Sequence, residues 1–305
     1  MSDMHGWTQR PLPVADLAPF DLPDDAWFEY AWLDADGQPR PDPGGVSAGN
    51  PWWDYACRIT GPRWRDHVRV PAASVHSVHR LRGHRLDSRH FGSGRRIYTY
   101  SPAGADTPAP VLLIHDGKGF WHHGRCGVLA DALLAAGEIP PVHLVFLQPA
   151  RRTVEYAFNP AHAAYVIDDV LPYLDDVLVA TDERLLLGAS LGALAAAHTA
   201  LDHPGVFAAV GSLSGTFPMG PGDEPIDPFT GSEWLLGRLR DGAGHDLRWH
   251  LDCGTLEWLL PRHERLCEAL VAGGYDHRCL TRNVGHNWTN WRNALPETMK
   301  YLLAG

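Results

Sequence analysis

The chain has 305 residues, of which 45% are hydrophobic and 20% charged, a composition typical of globular proteins with a sizeable core. This length predicts one large α/β domain, or a large domain with a small companion. The 36 Asp and Glu residues outnumber the 26 Lys and Arg residues, and the formal net charge of −10 would repel a phosphate backbone, so no nucleic-acid partner is expected.

Other features of the sequence bear on location. No stretch of about 18 apolar residues occurs, so we predict no membrane-spanning segment. Met1–Phe20 lacks the apolar run of a signal peptide, and we expect a cytoplasmic protein. The five cysteines are odd in number, scattered and without a Cys-x-x-Cys pair, which predicts reduced thiols at Cys57, Cys126, Cys253, Cys267 and Cys279.

The charge distribution divides the chain near residue 70. Met1–Thr60 holds ten acidic and three basic residues, whereas Gly61–Tyr100 holds two acidic residues and nine arginines. Proline and glycine crowd the stretch from Gly37 to Pro62. We therefore predict a small N-terminal β-rich unit over residues 1–70 and a larger domain over residues 71–305.

Aromatic residues dominate the predicted N-terminal unit. Trp27–Leu33 alternates roughly in polarity and is followed by Asp36-Gly37, a dipeptide that favours a hairpin between two strands. We expect the aromatic residues of this unit, including Trp52 and Trp53, to form a small β core and not a ligand platform.

Beyond Val75, short apolar strands alternate with helical patterns. The predicted strands are Val75–Leu81, Arg96–Tyr100, Val111–Ile114, Val142–Leu147, Arg184–Leu187, Val206–Leu213, Leu247–Asp252 and His277–Arg282. The predicted helices are Gly127–Ala136, Asn159–Leu174 with Asn159 as its N-cap, Gly192–Leu201, Trp258–Val271 and Trp288–Leu303. Such alternation indicates a mostly parallel sheet with helices on both faces.

The strongest chemical motif is Gly188-Ala189-Ser190-Leu191-Gly192, which stands between a predicted strand and a predicted helix. A serine on such a sharp turn projects its hydroxyl beyond the sheet, and the two glycines remove Cβ atoms that would clash there. This context predicts Ser190 as a nucleophile in an α/β-hydrolase fold. The nearby Gly211–Gly215 segment has the wrong spacing, so Ser214 is expected to be structural.

A nucleophilic serine needs a general base, which this fold places late in the chain on a loop. His263 falls on the polar face of a predicted helix, where we expect it to be solvated, and His277 falls at a strand edge. His286 follows Gly285 in a predicted loop and is therefore our candidate base. The acid that orients the base should lie between Ser190 and His286, and spacing alone allows either Asp252 or Glu257.

These residues resemble the putative-esterase family of α/β-hydrolases, which includes esterase D, the mycolyltransferases and, most similar here, the cytoplasmic enterochelin (siderophore) esterases. The matching segments, in family order, are Val111–Gly117 with Trp121, Arg152–Tyr156 with Asn159, Gly188–Gly192, Ser214-Gly215, Gly254–Glu257, and Gly285–Trp288 with Trp291. The family histidine is usually followed by Asp, whereas this chain has Asn287. The N-terminal strands weakly resemble an immunoglobulin-like early-set module, through Phe28, Tyr30 and Asp42-Pro43, but are too short to complete it.

The resemblance implies roles for individual residues. It favours Glu257 over Asp252 as the third member of a Ser-His-Glu triad. It also implies an oxyanion hole formed by the backbone amides of Leu191 and of Lys118 or its neighbour Gly117. No cofactor is implied.

Three further residues are candidates for contacting substrate. Trp121 could equally line an acyl pocket or cap the sheet, and Trp288 follows the candidate base in the matching segment. Arg152 is the third candidate, although a structural ion pair between Arg152 and Glu155 is the more expected arrangement.

The implied function is a serine esterase that hydrolyses a small-molecule ester. A siderophore trilactone, free or as its ferric complex, or a related hydroxy-aromatic ester is our substrate hypothesis. It rests on the resemblance and on the arginine-rich segment Gly61–Tyr100, which could face an anionic catecholate; a solvated rim paired with surface acids explains these arginines at least as well. The alternatives are a carbohydrate-linked or feruloyl carboxylesterase, an acyltransferase, and a non-catalytic binding protein on a hydrolase scaffold.

The 18 histidines do not predict a metal site. His76 and His79 would point to opposite faces of one strand, and the adjacent His122 and His123 are poorly placed to chelate one ion together. No His-Glu-x-x-His motif occurs. We therefore expect no functional metal.

Overall fold

The strands of the protein form one large sheet and two small ones. In this computed structural model, which describes residues 21–66, 80–223 and 231–304, they are β1 Trp27–Tyr30, β2 Trp32–Leu33, β3 Pro39–Arg40, β4 Val46–Ser47, β5 Cys57–Thr60, β6 Arg82–Asp87, β7 Gly94–Tyr100, β8 Ala109–Ile114, β9 His143–Gln148, β10 Ala180–Ala189, β11 Ala209–Leu213, β12 Arg248–Gly254 and β13 His277–Arg282.

Helices follow most strands of the large sheet. They are α1 Gly117–His122, α2 Cys126–Ala135, α3 Arg152–Tyr156, α4 Pro160–Tyr165, α5 Leu171–Val177, α6 Leu191–Asp202, α7 Trp234–Arg240, α8 Leu260–Ala272 and α9 Trp288–Leu302. Within the described ranges, no helix is both long and apolar enough to cross a bilayer.

The large sheet has eight strands in the order β13-β12-β11-β10-β8-β9-β7-β6. Its strands from β8 to β13 are parallel to their neighbours, and β7 and β6 extend it antiparallel at one edge. Alternate residues of β8 enter different cores, with Val111 and Leu113 on one face and Leu112 and Ile114 on the other. A sheet buried on both faces explains why these strands are continuously apolar, and the predicted fold class is confirmed.

The helices divide between the two faces of the sheet. Residues of α1, α2 and α9 join the core on one face. Residues of α3 to α8 join the core on the other face. The helices α6 and α9 therefore flank β10 and β11 from opposite sides and set the position of the residues where these strands end.

The predicted helix over Asn159–Leu174 is longer and less regular than expected. Asn159 caps it as predicted, its side chain accepting a hydrogen bond from the Ala161 amide at 3.0 Å. A π-helical segment, Val166–Val170, separates α4 from α5. Pro172 has no N–H to bond the Asp168 carbonyl one turn earlier, and the Arg89 guanidinium donates to that carbonyl instead.

The predicted strand Val75–Leu81 falls mainly on residues 75–79, outside the described residues. The described strand in this region is β6, which begins one residue later at Arg82. The predicted domain boundary near residue 70 also lies outside the described residues and stays a prediction.

The N-terminal unit contains the predicted hairpin. Strands β2 and β3 pair antiparallel, and Gly37 has φ 73° in the turn between them. Strands β1, β5 and β4 form a second small antiparallel sheet. The unit is joined to the large domain at β1, where the Trp27 amide donates to the Asn283 carbonyl at 2.9 Å.

The prediction that Trp52 and Trp53 share a small β core is wrong for Trp52. Trp53 is buried with Ala48 and Ala56. The Trp52 side chain is 47% exposed, and its ring packs against Trp288 and Trp291 of α9, with centroid distances of 6.0 and 5.5 Å. The Trp52 and Trp53 rings contact each other, with centroids 5.5 Å apart, and the sequence does not reveal which of them reaches α9.

The prediction of five reduced thiols is also wrong. Cys267 of α8 and Cys279 of β13 form a disulfide, while Cys57, Cys126 and Cys253 are free and buried. Helix α8 packs beside β13 and brings the two Cα atoms within 6.1 Å. Spacing along the chain does not disclose this proximity, because it arises from the helix crossing back over the sheet.

His250 makes the stability of this fold depend on pH. It is completely buried in β12, and burial, together with the charges of Arg278 and Arg282, lowers its pKa to about 3 from an ordinary value of 6.5. Unfolding therefore takes up a proton between these two values, so stability falls as the pH is lowered through that window. At pH 5, about 1.5 units below the unfolded pKa, the loss from this histidine amounts to about 2 kcal/mol.

We predict that His250→Leu removes this acid-sensitive contribution. Between pH 7.5 and pH 5, the wild type should lose about 2 kcal/mol more unfolding free energy than the variant, as measured by urea denaturation. Substituting the exposed His122 by Leu is the matched control and should leave the wild-type pH dependence in place. Equal losses of unfolding free energy in the wild type and in His250→Leu would show that His250 is not the source of this pH dependence.

Candidate active site

Ser190 occupies a strained turn between β10 and α6. Its backbone has φ 54° and ψ −123°, a region that residues other than glycine rarely adopt. A Cβ at Gly188 would overlap the Gly192 carbonyl, and a Cβ at Gly192 would lie 2.9 Å from an Asp116 carboxylate oxygen. Both motif glycines are therefore required by close packing around the serine.

The structure brings together three side chains distant in sequence. His286 Nε2 lies 3.0 Å from Ser190 Oγ, and His286 Nδ1 lies 2.7 Å from Glu257 Oε2. The three residues are buried, with 7%, 4% and 5% exposure for Ser190, His286 and Glu257. An acid, an imidazole and a hydroxyl in this order can pass a proton from the hydroxyl to the imidazole.

The second carboxylate oxygen of Glu257 is held by three donors. Oε1 accepts from Ser214 Oγ at 2.6 Å, from the Gly254 amide at 2.8 Å and from Asn290 Nδ2 at 3.0 Å. Gly254 has space for no side chain, because a Cβ would overlap the Val284 carbonyl. These contacts leave Oε2 directed at His286.

Asp252, the alternative acid, has a different partner from Glu257. It belongs to β12 and forms an ion pair with Arg282 of β13, while burial raises the pKa of its carboxyl to about 7. Of the two candidates that spacing allows, Glu257 is the one in contact with His286.

Two tryptophans enclose the imidazole of His286. The Trp258 ring lies 4.8 Å from it and the Trp291 ring 5.1 Å from it, the latter nearly perpendicular at 87°. Trp291 Nε1 donates to Ser214 Oγ at 2.9 Å, and this same hydroxyl donates to Glu257. Ser214 therefore fixes both a wall of the site and its acid, a role that the motif spacing did not predict.

The other candidate histidines do not enter the site. His277 begins β13 and bonds the Tyr275 carbonyl. The prediction that His263 is solvated is wrong: it is buried on α8, lies 3.5 Å from Cys267 Sγ, and burial lowers its pKa to about 4. The polar residues around it in the sequence concealed a position that faces the sheet.

The expected ion pair between Arg152 and Glu155 does not form. Arg152 instead donates two hydrogen bonds to the Asp116 carboxylate, at 2.8 and 2.7 Å, and a third to the Ala189 carbonyl at 3.3 Å. Glu155 pairs with Arg95 of β7. Arg152 thus ties the loop after β8 to the residue preceding the nucleophile, a link that crosses three segments and cannot be read from spacing.

The candidate oxyanion donors stand at the starts of two helices. Leu191 begins α6 and Gly117 begins α1, and within the described part of the chain neither amide has a hydrogen-bond partner. The Lys118 amide, by contrast, donates to Gln148 Oε1 at 3.1 Å. The first amides of a helix have no carbonyl to bond within it, so both open amides are suited to an anionic oxygen.

Two buried histidines support the loop that carries Asp116. His115 Nε2 lies 3.0 Å from His162 Nε2, and burial lowers the pKa of His115 to about 4 and that of His162 well below its usual range. The Tyr156 ring packs edge-on against both imidazoles, and its hydroxyl accepts from the Asp116 amide at 3.0 Å. Neutral imidazoles and a tyrosine therefore form the floor beneath this loop.

Trp121 and Trp288 both pack near α1. Trp121 lies against Tyr100 and Phe146 and borders a small cavity of about 110 Å³. Trp288 is buried against Phe120, and a Cβ at Gly119 would lie 2.5 Å from its ring. That either ring contacts substrate stays a prediction.

Four of the nine arginines of Gly61–Tyr100, namely Arg82, Arg85, Arg95 and Arg96, lie on the antiparallel strands β6 and β7, and several arginines of the segment form ion pairs. Ion pairs join Arg63 to Asp24, Arg80 to Asp131, Arg89 to Asp169 and Arg95 to Glu155. The exposed, paired arginines Arg63, Arg80 and Arg89 fit the interpretation of a rim that neutralises acids, whereas the Arg95–Glu155 pair is buried. Among the described residues, no group of three or more potential ligands is arranged to hold a metal ion, and His76 and His79 lie outside those residues.

A mostly parallel sheet with a serine on the turn after its central strand defines the α/β-hydrolase class. Within that class, comparison with protein families identifies one family: the model described as "Putative esterase" matches residues 88–302. The chain belongs to this family.

Curated relatives and solved structures are consistent with this assignment. The chain is 27% identical over 240 residues to the iron(III) enterobactin esterase of Dickeya dadantii, covering 72% of this chain and 54% of the relative. It therefore spans about half the length of that protein.

Two solved structures show the same fold. The enterobactin esterase from Shigella flexneri, solved in the presence of 2,3-di-hydroxy-N-benzoyl-glycine, has 18% identity and a TM-score of 0.73, covering 92% of this chain and 79% of that one. A ferulic acid esterase has 19% identity and a TM-score of 0.61, covering 73% of this chain and 97% of that one.

We predict that Arg152 and Asp116 act as one unit in positioning the loop after β8. Arg152→Met and Asp116→Asn should each lower kcat for p-nitrophenyl acetate about 10- to 100-fold with little change in KM, because small displacements of catalytic groups are costly. The double variant should lose no more than either single variant, a coupling that steady-state kinetics on all four proteins measures. The control is Arg89→Met, which removes an ion pair with Asp169 that does not involve Ser190. Additive losses in the double variant would refute the coupling.

Proposed function

We propose that the protein is a serine hydrolase of carboxylic esters, with Ser190 as nucleophile, His286 as general base and Glu257 as the acid that orients the base. The observation that carries this proposal is the continuous chain of hydrogen bonds from Ser190 Oγ through His286 to Glu257. The family membership and the strained turn at Ser190 add support.

In the proposed mechanism, Ser190 Oγ attacks the ester carbonyl and His286 Nε2 takes its proton. Glu257 Oε2 accepts a hydrogen bond from the Nδ1–H group of His286, which keeps Nε2 free as a base and stabilises the imidazolium that forms. His286 then protonates the departing alcohol, and a water activated by the same imidazole releases the acyl group.

We propose that the tetrahedral oxyanion is stabilised by the backbone amides of Leu191 and Gly117. The sequence prediction allowed Lys118 or Gly117 for the second donor, and the open Gly117 amide supports the latter. Use of Lys118 would require its amide to leave Gln148. Each such donor contributes about 100- to 1,000-fold in rate.

We propose a hydroxy-aromatic ester, with a siderophore trilactone as the leading candidate, for the substrate. The Dickeya dadantii relative is named for iron(III) enterobactin, and the aromatic walls around His286 suit flat substrate groups. An ester panel should test this on the full chain, comparing a catecholate trilactone, a feruloyl ester and p-nitrophenyl acetate, with an added alcohol to detect acyl transfer. A preference of less than tenfold for the trilactone would remove the siderophore assignment.

A cytoplasmic location remains part of the proposal. The free buried thiols Cys57, Cys126 and Cys253 support a reducing compartment, whereas the Cys267–Cys279 disulfide argues against one. Cell fractionation tests this location. When exported proteins are removed before the cells are lysed, we expect the native protein in the soluble fraction of the lysate. Recovery with exported proteins would contradict it.

We predict that Ser190→Ala lowers kcat at least about 1,000-fold and abolishes labelling by a fluorophosphonate probe, since the acyl acceptor is lost. Ser212→Ala removes a buried hydroxyl from the neighbouring strand β11 and is the matched control. Unlabelled wild-type protein would revive the non-catalytic binding alternative.

We further predict that Glu257→Gln lowers kcat about 1,000- to 10,000-fold, because a neutral amide neither fixes the tautomer nor stabilises the imidazolium. Asp252→Asn keeps its hydrogen bond to Arg282 and should change kcat less than about tenfold. Steady-state kinetics on the two variants, with unfolding curves to show that both fold, distinguish the acids. The reverse order of effects would assign the role to Asp252.

A further inference from the structure

A second hydroxyl lies against the nucleophile. Thr216 follows β11 in the turn Ser214-Gly215-Thr216, and its Oγ1 is 3.1 Å from Ser190 Oγ. The Thr216 amide also donates to the Ser190 carbonyl at 3.2 Å. The residue is completely buried, and Oγ1 makes no other hydrogen bond within the described ranges.

The turn that carries Thr216 is tightly constrained. Ser214 has φ 51°, and a Cβ at Gly215 would overlap the Phe217 ring and lie 2.6 Å from Ser212 Oγ. The Ser214 amide is hydrogen-bonded to the Asp252 carbonyl at 2.6 Å. A constrained backbone fixes where the Thr216 hydroxyl points, so its contact with Ser190 is built into the fold.

The direction of this hydrogen bond follows from the protons of the neighbouring groups. Glu257 Oε2 as a carboxylate oxygen can only accept, so the proton shared with it belongs to His286 Nδ1, and Nε2 of the neutral ring is the acceptor for the Ser190 proton. The Ser190 hydroxyl has one proton, which is then directed at Nε2. Thr216 must therefore be the donor and Ser190 Oγ the acceptor.

We propose that Thr216 is a further catalytic residue, whose hydroxyl donates a hydrogen bond to Ser190 Oγ and stabilises negative charge on this atom. The inference rests on the proposed serine-esterase function and adds a role that the Ser-His-Glu arrangement does not require. It assigns the hydroxyl to the serine oxygen itself, whereas the oxyanion donors serve the carbonyl oxygen of the substrate.

The contribution is greatest when Ser190 is the leaving group. In deacylation, water adds to the acyl carbon and gives a proton to His286; the bond from this carbon to Ser190 Oγ then breaks, and Oγ recovers a proton from His286. As that bond breaks, charge accumulates on Oγ, and a hydrogen bond to a charged oxygen is stronger than one to the ester oxygen of the acyl-enzyme. An interaction that strengthens in the transition state raises kcat.

Two pairs of variants separate the hydroxyl from the shape of the side chain. Thr216→Val replaces the hydroxyl by a methyl group of similar size, and Thr216→Ser keeps the hydroxyl while removing the methyl group. Thr216→Ala completes a second pair, because it differs from Thr216→Ser only in the hydroxyl. The second pair keeps the test informative if the valine variant does not fold.

Stopped-flow hydrolysis of p-nitrophenyl acetate measures acylation in the burst and deacylation in the steady state. We expect Thr216→Val to lower the deacylation rate about 10- to 100-fold and acylation less, so that acyl-enzyme accumulates and is detected by mass spectrometry. Thr216→Ser should stay within about threefold of wild type and exceed Thr216→Ala by at least about tenfold. Thr199→Val removes a buried hydroxyl of α6 that has no hydrogen-bond partner among the described residues; it is the matched control and should leave both rates unchanged.

Wild-type deacylation in Thr216→Val, or equal rates in the serine and alanine variants, would overturn the role of the hydroxyl. Equal impairment of Thr216→Ser and Thr216→Val would assign Thr216 to packing alone. Failure of the underlying esterase proposal has a different signature, namely unchanged activity in Ser190→Ala or no reaction of the wild type with a fluorophosphonate.

Discussion

The strained backbone at Ser190, with its positive φ, is the constraint on which the candidate site depends. Neighbouring segments hold it from several sides: the Ser190 amide donates to the Leu213 carbonyl at 2.9 Å, and its carbonyl accepts from Thr216. Asp116 packs against Gly192 on the remaining side. A strained residue persists only where surrounding contacts over-determine it, and here β11 and the loop after β8 provide those contacts. The cost in stability is offset by the packing of the central strands.

Electrostatics impose a second requirement, because a buried carboxylate must be surrounded by donors. Glu257 meets it with the Gly254 amide, Ser214, Asn290 and His286. Ser214 in turn accepts from Trp291, so the aromatic wall and the acid are parts of one hydrogen-bond network. Asp252 has a single cationic partner and remains outside this network. The two acids differ in their hydrogen-bond and ion-pair partners, and these partners cannot be predicted from spacing along the chain.

Local signals in the sequence accordingly predicted some parts of the site and not others. The turn at Ser190 and the loop at His286 are encoded by adjacent glycines, and the alternating apolar strands encode the sheet. Contacts between distant segments carry no such local signal. The partners of Arg152, the burial of His263 and the hydroxyl of Thr216 beside Ser190 follow only from how strands and helices pack, and the disulfide between Cys267 and Cys279 belongs to the same class.

The N-terminal unit is connected to this site through aromatic packing. Trp52 lies against Trp291, and Trp291 lies against His286, so a loop of the small unit is separated from the imidazole by one ring. At the same junction β1 is anchored to Asn283, three residues before His286. Both contacts fall on the segment that carries the base. The unit therefore supports the His286 loop from outside the large sheet, which gives residues 21–66 a structural role.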